Sequence, residues 1–388
     1  MARLVRRTSR KIDFSEFGLP DRTLPPPETL TSRSGRVPSS EDLRKADVTS
    51  YLFDVFLDRL DRVVLLGPPI FDLWQTGRPQ GARIVVPETG LELDLDLVWQ
   101  KNNRRLLYYV AETAQAAIPR DHAVFVDLTV NGVTVRRPLE RFFATGSRVI
   151  ATLQKDHVPA HVLDWIAYYR KLGVDEFLIY DNASANVEDL AAAIAASEGD
   201  HVVQIVDWPY LYGLGWVGRV RYCQNGILNH ALAAAKQSDW LLNFDIDEYL
   251  ALDRYEDSLS ALFAAWPDES GFVFDGFRVP VPLDFDIERP YGAADFTARK
   301  IAGQGRAWKY ITRPPVTRFV NIHTIHHEEG KSQRAVPNDE AYFLHFMGLT
   351  SGTPEKIVAR LHEREPVPAS ELTETATVPR VMGRGGDR

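Results

Sequence analysis

Between Arg148 and Glu248 short apolar runs alternate with stretches of helical spacing, and no other feature narrows the possible folds as far. Residues 149–153 read as a buried strand. Val162, Trp165, Ile166 and Tyr169 then recur at helical spacing, with Pro159 near the start and Gly173 just past the end. Residues 177–180 form a second strand that stops at Asp181-Asn182-Ala183-Ser184. Asn186 comes next as a cap for a helix carrying Leu190 and Ile194. Residues 202–206 make a third strand, Ile227, Leu228, Ala231 and Leu232 mark another helix, and residues 240–244 make a fourth strand. Repeated strand–helix–strand units predict an α/β fold with a mainly parallel sheet and flanking helices. Ligands of such sheets bind beyond the carboxyl ends of the strands, so the Asp181 turn and the segment after residue 244 are expected on one edge.

That segment is Asp245-Ile246-Asp247-Glu248. Hard divalent cations take oxygen ligands, and Mg²⁺-type ions often use one or two carboxylates plus the phosphates of a ligand. Two aspartates at a strand end therefore suit a metal that bridges a diphosphate. The plainer alternative is a solvated acidic turn in which Glu248 only opens the next helix. Asp181 and Asn182 fit hydrogen bonding to a base or ribose, and equally fit ordinary turn chemistry.

Ahead of this region, residues 46–146 have strand character. Residues 63–66 run into Gly67-Pro68, residues 91–98 alternate strictly, and residues 124–130 turn at Asn131-Gly132 and return through 133–135. These predict a small β-rich domain, sandwich-like, preceding a main domain over 147–365. Residues 1–45, rich in Arg, Ser and Pro, and residues 366–388 show no sustained periodicity and are expected to be loosely docked or disordered tails.

Forty-five basic against 53 acidic residues leave a net charge of −8, which argues against nucleic acid as the partner. The single cysteine, Cys223, allows no intrachain disulfide. No apolar run has the length of a leader or a membrane span, so a cytoplasmic protein without a transmembrane segment is expected.

Other residues bear on the same chemistry. His323, His326 and His327 cluster in one short stretch, and His345 stands alone among aromatics; imidazole is a common metal ligand. Lys309 and Arg313 could neutralise phosphate. Trp208, Tyr210, Tyr212 and Trp216 could stack sugar rings. Gly213-Leu214-Gly215-Trp216-Val217-Gly218 matches a dinucleotide fingerprint, but six residues separate it from the preceding strand, so a dinucleotide-dependent oxidoreductase is the weaker alternative.

Together, Lys155-Asp156-His157, Leu163-Asp164-Trp165 through Gly173-Val174, Tyr180-Asp181-Asn182-Ala183-Ser184, residues 240–250, Lys309-x-Ile311-x-Arg313-Pro314 and His345-Phe346 define a pattern continuing to Ser351 and Lys356. Over residues 150–356 it resembles glycosyltransferases of the family 2 and family 92 kind, which have the GT-A nucleotide-diphospho-sugar transferase fold. Where those families show Lys-Asn-Glu after the first strand, this chain has Lys155-Asp156-His157. The resemblance implies a metal-dependent, inverting transfer of a sugar from a nucleotide-diphosphate donor to a glycan or other hydroxyl acceptor. It implies that Asp181 contacts the base, that Asp245 contacts the ribose or the metal shell, and that Asp247 binds Mn²⁺ or Mg²⁺. A later histidine would complete the metal site, His323 first and His345 second. Inversion requires a base to deprotonate the acceptor, and Asp275 is the candidate, with Asp284 and Glu328 as alternatives. A sugar-binding module that kept the fold without turnover is the rival of a different class.

Overall fold

The computed structural model describes residues 1–21, 49–68, 79–99, 107–112, 118–211, 222–281, 291–296, 298–301, 303, 308–349, 369–374 and 377–383. The chain forms two compact units. One comprises residues 1–7, 144–207 and 237–388; the other comprises 8–143 and 208–236.

The first unit holds an α/β arrangement. Its elements are β1 (Arg3–Thr8), β2 (Arg148–Gln154), α1 (Pro159–Leu172), β3 (Glu176–Asp181), α2 (Val187–Ala196), β4 (Val202–Asp207) and β5 (Trp240–Asn243). They continue with β6 (Glu248–Ala251), α3 (Leu259–Ala265), β7 (Gly271–Phe274), β8 (Gly276–Val279), β9 (Lys309–Thr312), β10 (Arg334–Ala335), β11 (Tyr342–Phe346) and α4 (Thr377–Gly383). The main sheet runs β1-β4-β3-β2-β5-β9-β7-β10. Strands β2 to β5 are parallel, as the alternating pattern predicts. The sheet as a whole is mixed rather than mainly parallel, because β9 inserts antiparallel between β5 and β7. That strand comes from a distant part of the chain, where no strand–helix rhythm announces it. A second sheet orders β6-β11-β8.

Local chemistry explains the helices. Proline at the first turn of α1 has the φ that a helix start needs and lacks an N–H that would go unpaired there. Gly173 ends α1 in the left-handed region (φ 106°), with Arg170 and Lys171 in the last turn to complement the helix dipole. Val162, Trp165, Ile166 and Tyr169 share one core with Ile150, Phe177, Ile179 and Val203 of the sheet. Trp165 is fully buried, worth on the order of 2–3 kcal/mol in area removed from water.

Both expected tails contain structure. Leu4 of β1 packs on the main core and Arg6 bonds Glu188 at 2.7 Å, so arginines that suggested a solvated segment have partners. Phe14 and Phe17 are buried in the second unit's core. Near the other end, Val378 and Val381 of α4 are buried, and Arg380 binds Asp253 and Asp257 at 2.8 and 2.7 Å. One helical turn of apolar spacing is too short a signal to stand out in a polar sequence. Glu248 opens strand β6, not a helix.

The second unit is β-rich and not contiguous in sequence. Its strands order Val133–Pro138, Phe125–Val130, Pro79–Val86, Leu91–Trp99, Leu107–Glu112, Val63–Gly67, Asp54–Leu57 and Glu140–Arg141. The Asn131-Gly132 turn has both residues at positive φ (49° and 77°), which the two-residue hairpin requires. Residues 208–236 return to this unit from the middle of the α/β pattern. Trp208 and Tyr210 pack against Phe53, and His230 bonds Asp54 at 2.7 Å with both side chains fully buried. Trp208 and Tyr210 are therefore core residues (0% and 4% exposed), not a surface for sugar rings. Tyr212, Trp216 and the Gly213–Gly218 stretch lie outside the described residues.

Candidate active site

The register of the main sheet brings Asp181, Asp245, Lys309 and Asp275 to one edge. Gln154, Asp181 and Asp207 end neighbouring parallel strands in line. Asn243 pairs with Ala151, so Asp245 leaves β5 at the same edge. Strand β9 runs the other way, pairing Tyr310 with Asn243, and its first residue, Lys309, lands beside Asp245. Phe274 pairs with Lys309, so Asp275 is the next residue outward from β7.

Lys309 is buried (3% side-chain exposure), and its Nζ donates to Asp245 Oδ2 at 2.7 Å and Glu248 Oε2 at 2.8 Å. Glu248 Oε2 also accepts the Asp245 N–H at 2.9 Å. Burial alone would lower the lysine, but the two carboxylates carry it above its ordinary value. Burial raises the Glu248 carboxyl above the usual range, against the opposing pull of Lys309. A lysine expected to face phosphate is instead the internal counter-ion of two acids.

The second sheet supplies the other cation. Strand β11 pairs antiparallel with β6, setting His345 opposite Glu248. His345 Nε2 lies 3.3 Å from Asp247 Oδ2. Burial disfavours the imidazolium, yet Asp247, with Glu248 and Asp245 further off, raises the His345 pKa to about 9. Burial likewise pushes Asp247 up, but His345, with His157 and Lys309, outweighs it and leaves that carboxyl below its ordinary value. Among the described residues, the side chains grouped closely enough to hold a metal ion are Asp247, Glu248 and His345, with ligand atoms within 4.8 Å of one another. Two carboxylates and an imidazole suit Mn²⁺ and similar divalent ions.

On the neighbouring strands, two turns brace each other. Asp156 (φ 53°) and Ala183 (φ 53°) are both in the left-handed region. Lys155 Nζ donates to the carbonyls of Asn182 (2.8 Å) and Ala183 (2.6 Å), Ser184 Oγ accepts the Asp156 N–H, and Asp156 accepts the Ala185 N–H. His157 is buried against Gln154 Oε1 at 3.0 Å, and burial holds it below its ordinary pKa. Asp181 Oδ2 accepts the Ser184 N–H at 3.1 Å, while Oδ1 is buried without a hydrogen-bond partner. Burial raises this carboxyl, with Ser184 opposing. Asn182 is held here by its backbone, its N–H donating to Gln154 O at 2.9 Å.

Not every predicted residue arrives. Arg313 sits past the far end of β9, at the sheet's amino edge, where its guanidinium lies 4.6 Å from the Trp240 ring and donates to Pro267 O at 2.7 Å. Glu328 is exposed, with its N–H on Val316 O near the same far edge. His323 donates from Nδ1 to Trp308 O at 2.9 Å and is not in the metal-capable group; His345 is. His326 stacks on Phe319 and His327 adjoins Thr317, both in a separate hairpin. Asp284 lies outside the described residues. Sequence reasoning gave Glu248 no role in the metal site and placed His345 second; the β6–β11 pairing that joins them spans almost a hundred residues and leaves no local signature.

Comparison with known proteins gives one family. The sequence profile of glycosyltransferase family 92 matches residues 150–377, more than half of the chain. A glycosyltransferase family 92 protein of Ricinus communis is 26% identical over 200 residues, covering 47% of this chain and 32% of that protein. The chain thus spans about a third of the length of the curated relative it matches. Similar solved structures include the inositol-1-phosphate CTP transferase from T. maritima (10% identity, 58% of this chain, 100% of that one, TM-score 0.27). HddC from Yersinia pseudotuberculosis is another (12% identity, 56% and 98% coverage, TM-score 0.29). Structural likenesses this low carry no argument about function. No helix among the described residues is long and apolar enough to cross a membrane.

Proposed function

The chain belongs to glycosyltransferase family 92, and from that premise we propose that it transfers a sugar from a nucleotide-diphosphate donor to a hydroxyl acceptor on a GT-A-type fold. The observation that carries this reading is the pairing of Asp247 with His345 beside the Asp245–Lys309–Glu248 cluster, at the carboxyl edge where ligands of such sheets bind.

In this proposal Asp247 and His345, with Glu248 beside them, hold Mn²⁺ or Mg²⁺. When bound, such an ion supplies Lewis-acid stabilisation to the negative charge that grows on a departing diphosphate. The chain's own residues do the rest. Lys309 offsets the charge of Asp245 and Glu248, so these two acids can lie side by side at this edge. Asp245, about one-third exposed, keeps carboxylate surface for the donor's ribose. Asp181 offers an unpartnered buried oxygen, the kind of acceptor that a base N–H would satisfy. Asp275 is half-buried, with Oδ1 accepting the Gly276 N–H at 2.8 Å. A Cβ at Gly303 would come within 2.6 Å of its other oxygen, so only glycine lets the chain approach that carboxylate so closely. Deprotonation of an acceptor hydroxyl there gives the inverting course.

A thermal-shift panel of nucleotide sugars with and without Mn²⁺ tests the reading, because a ligand that binds only the folded state raises apparent stability. Metal-dependent stabilisation by at least one donor, lost in Asp247→Ala, is expected. No stabilisation by any donor, or donor hydrolysis by Asp247→Ala at the wild-type rate, would refute it.

A further inference from the structure

Of the large apolar side chains left exposed among the described residues, only Trp308 is aromatic (43% exposed). Leaving an indole in water forgoes much of the 1.5–3 kcal/mol or so that a large apolar side chain gains by burial, so an exposed tryptophan calls for a reason. Its position suggests one. Trp308 directly precedes Lys309, and the register pairs Phe274 with Lys309. The next residues outward on the two strands are therefore Trp308 and Asp275. Its backbone is held in place, because His323 donates to its carbonyl. Gly303 adjoins the Asp275 carboxylate, and Ile301, two residues earlier, is 56% exposed. An exposed indole surface thus stands at the strand position next to the carboxylate proposed as the base.

Such a surface beside a carboxylate matches the chemistry of a pyranose. One face of the ring presents C–H groups that an indole covers well, while the hydroxyls at its rim remain free to meet polar groups. We propose that Trp308 is the platform for the acceptor's pyranose ring, a specificity-determining residue that sets an acceptor hydroxyl against Asp275. The proposal rests on the glycosyl-transfer reading. It assigns His323 to positioning Trp308.

The test compares wild type, Trp308→Ala and Trp308→Phe in three assays with the same nucleotide-sugar donors and Mn²⁺. These are donor hydrolysis without acceptor, transfer to a panel of methyl pyranosides, and transfer to propane-1,2-diol. Loss of one ring-stacking contact raises the pyranoside KM about 10- to 100-fold in Trp308→Ala. Trp308→Phe keeps it near wild type, and donor hydrolysis and the diol reaction are unchanged in both variants. An unchanged pyranoside KM in Trp308→Ala overturns the proposal. So does an equal loss in all three assays, or a wild type that hydrolyses donor but accepts no pyranoside. A wild type that neither hydrolyses nor is stabilised by any donor overturns the glycosyl-transfer reading itself, a distinguishable result.

Discussion

The two edges of the main sheet are both lined with charge, yet they dispose of it in opposite ways. At the amino edge Glu176 is fully buried, and its carboxylate is saturated by fixed donors. Oε2 accepts the N–H groups of Thr145 (2.7 Å) and Gly146 (2.6 Å) and the Thr145 hydroxyl, and Oε1 accepts Gln204 Nε2 at 2.5 Å. Neighbouring Asp175 accepts the N–H groups of Ser147 and Arg148. At the carboxyl edge the acids face each other, are balanced by Lys309 and His345, and leave an oxygen of Asp181 unpartnered. Backbone donors are fixed and permit nothing further, so the first edge is structural. Side-chain cations can yield to a ligand, so the second edge retains capacity for chemistry.

The largest effect that would break this contrast lies at the carboxyl edge. Asp247→Ala is expected to lower transfer by about 10³-fold, the scale of losing a principal charge-stabilising contact in the transition state. The fold should survive, because the change removes an anion from a crowded acidic site. Steady-state rates at saturating donor and Mn²⁺ check it; near-wild-type turnover would make the carboxyl edge as structural as the other.

At the amino edge the expected effect falls on stability. Glu176→Ala strands the Thr145, Gly146 and Gln204 donors in a buried site, costing about 3 kcal/mol. Turnover per folded molecule, measured well below the melting temperature, should equal wild type. Denaturant unfolding beside the rate assay separates the two quantities, and a fall in turnover with unchanged stability would erase the distinction between the edges.

Acid should weaken the fold through the buried imidazole of His161. His161, in the first turn of α1, donates to Tyr291 O at 3.0 Å, and burial lowers its pKa to about 4. Its folded value lies below its ordinary 6.5, so between those limits the unfolded chain takes up a proton that the folded chain refuses. Stability therefore falls as the pH drops from 6.5 towards 4, with about 2 kcal/mol of the loss reached by pH 5. His161→Gln keeps a donor for Tyr291 O and removes the titration. The difference between variant and wild type from pH 7 to pH 5 should show that slope, and parallel curves would dismiss it.

How much of this was legible depends on range in sequence. Strands β2 to β5 and helices α1 and α2 come from local periodicity, and the placement of Asp181 and Asp245 on one edge comes from the parallel rule. The family resemblance is confirmed over residues 150–377. What escaped was set by pairings between distant residues. The match of β11 to β6 brings His345 beside Asp247 and Glu248, and the insertion of β9 makes the sheet mixed. Residues 208–236 read as part of the main domain because their helical spacing is continuous with it, although their apolar side chains pack in the other unit.

Arg313 supplies the smallest effect and the sharpest check on the edge assignment. Four residues from Lys309 along an extended strand, it lies about 13 Å further on, enough to cross from one edge of the sheet to the other. In sequence the two cations look like a phosphate-binding pair; in the sheet they are separated by the length of β9. Arg313 lies over Trp240, which itself stacks on Phe263 at 4.1 Å, so its part is packing. Arg313→Met should cost about 1 kcal/mol, the size of a partly exposed cation–π contact, and leave the donor KM unchanged. Lys309→Met, by contrast, leaves Asp245 and Glu248 without their counter-ion and should abolish donor binding measured by thermal shift. If Arg313→Met weakens donor binding in the thermal-shift assay as Lys309→Met does, the donor's phosphates reach across the sheet and the division between its edges fails.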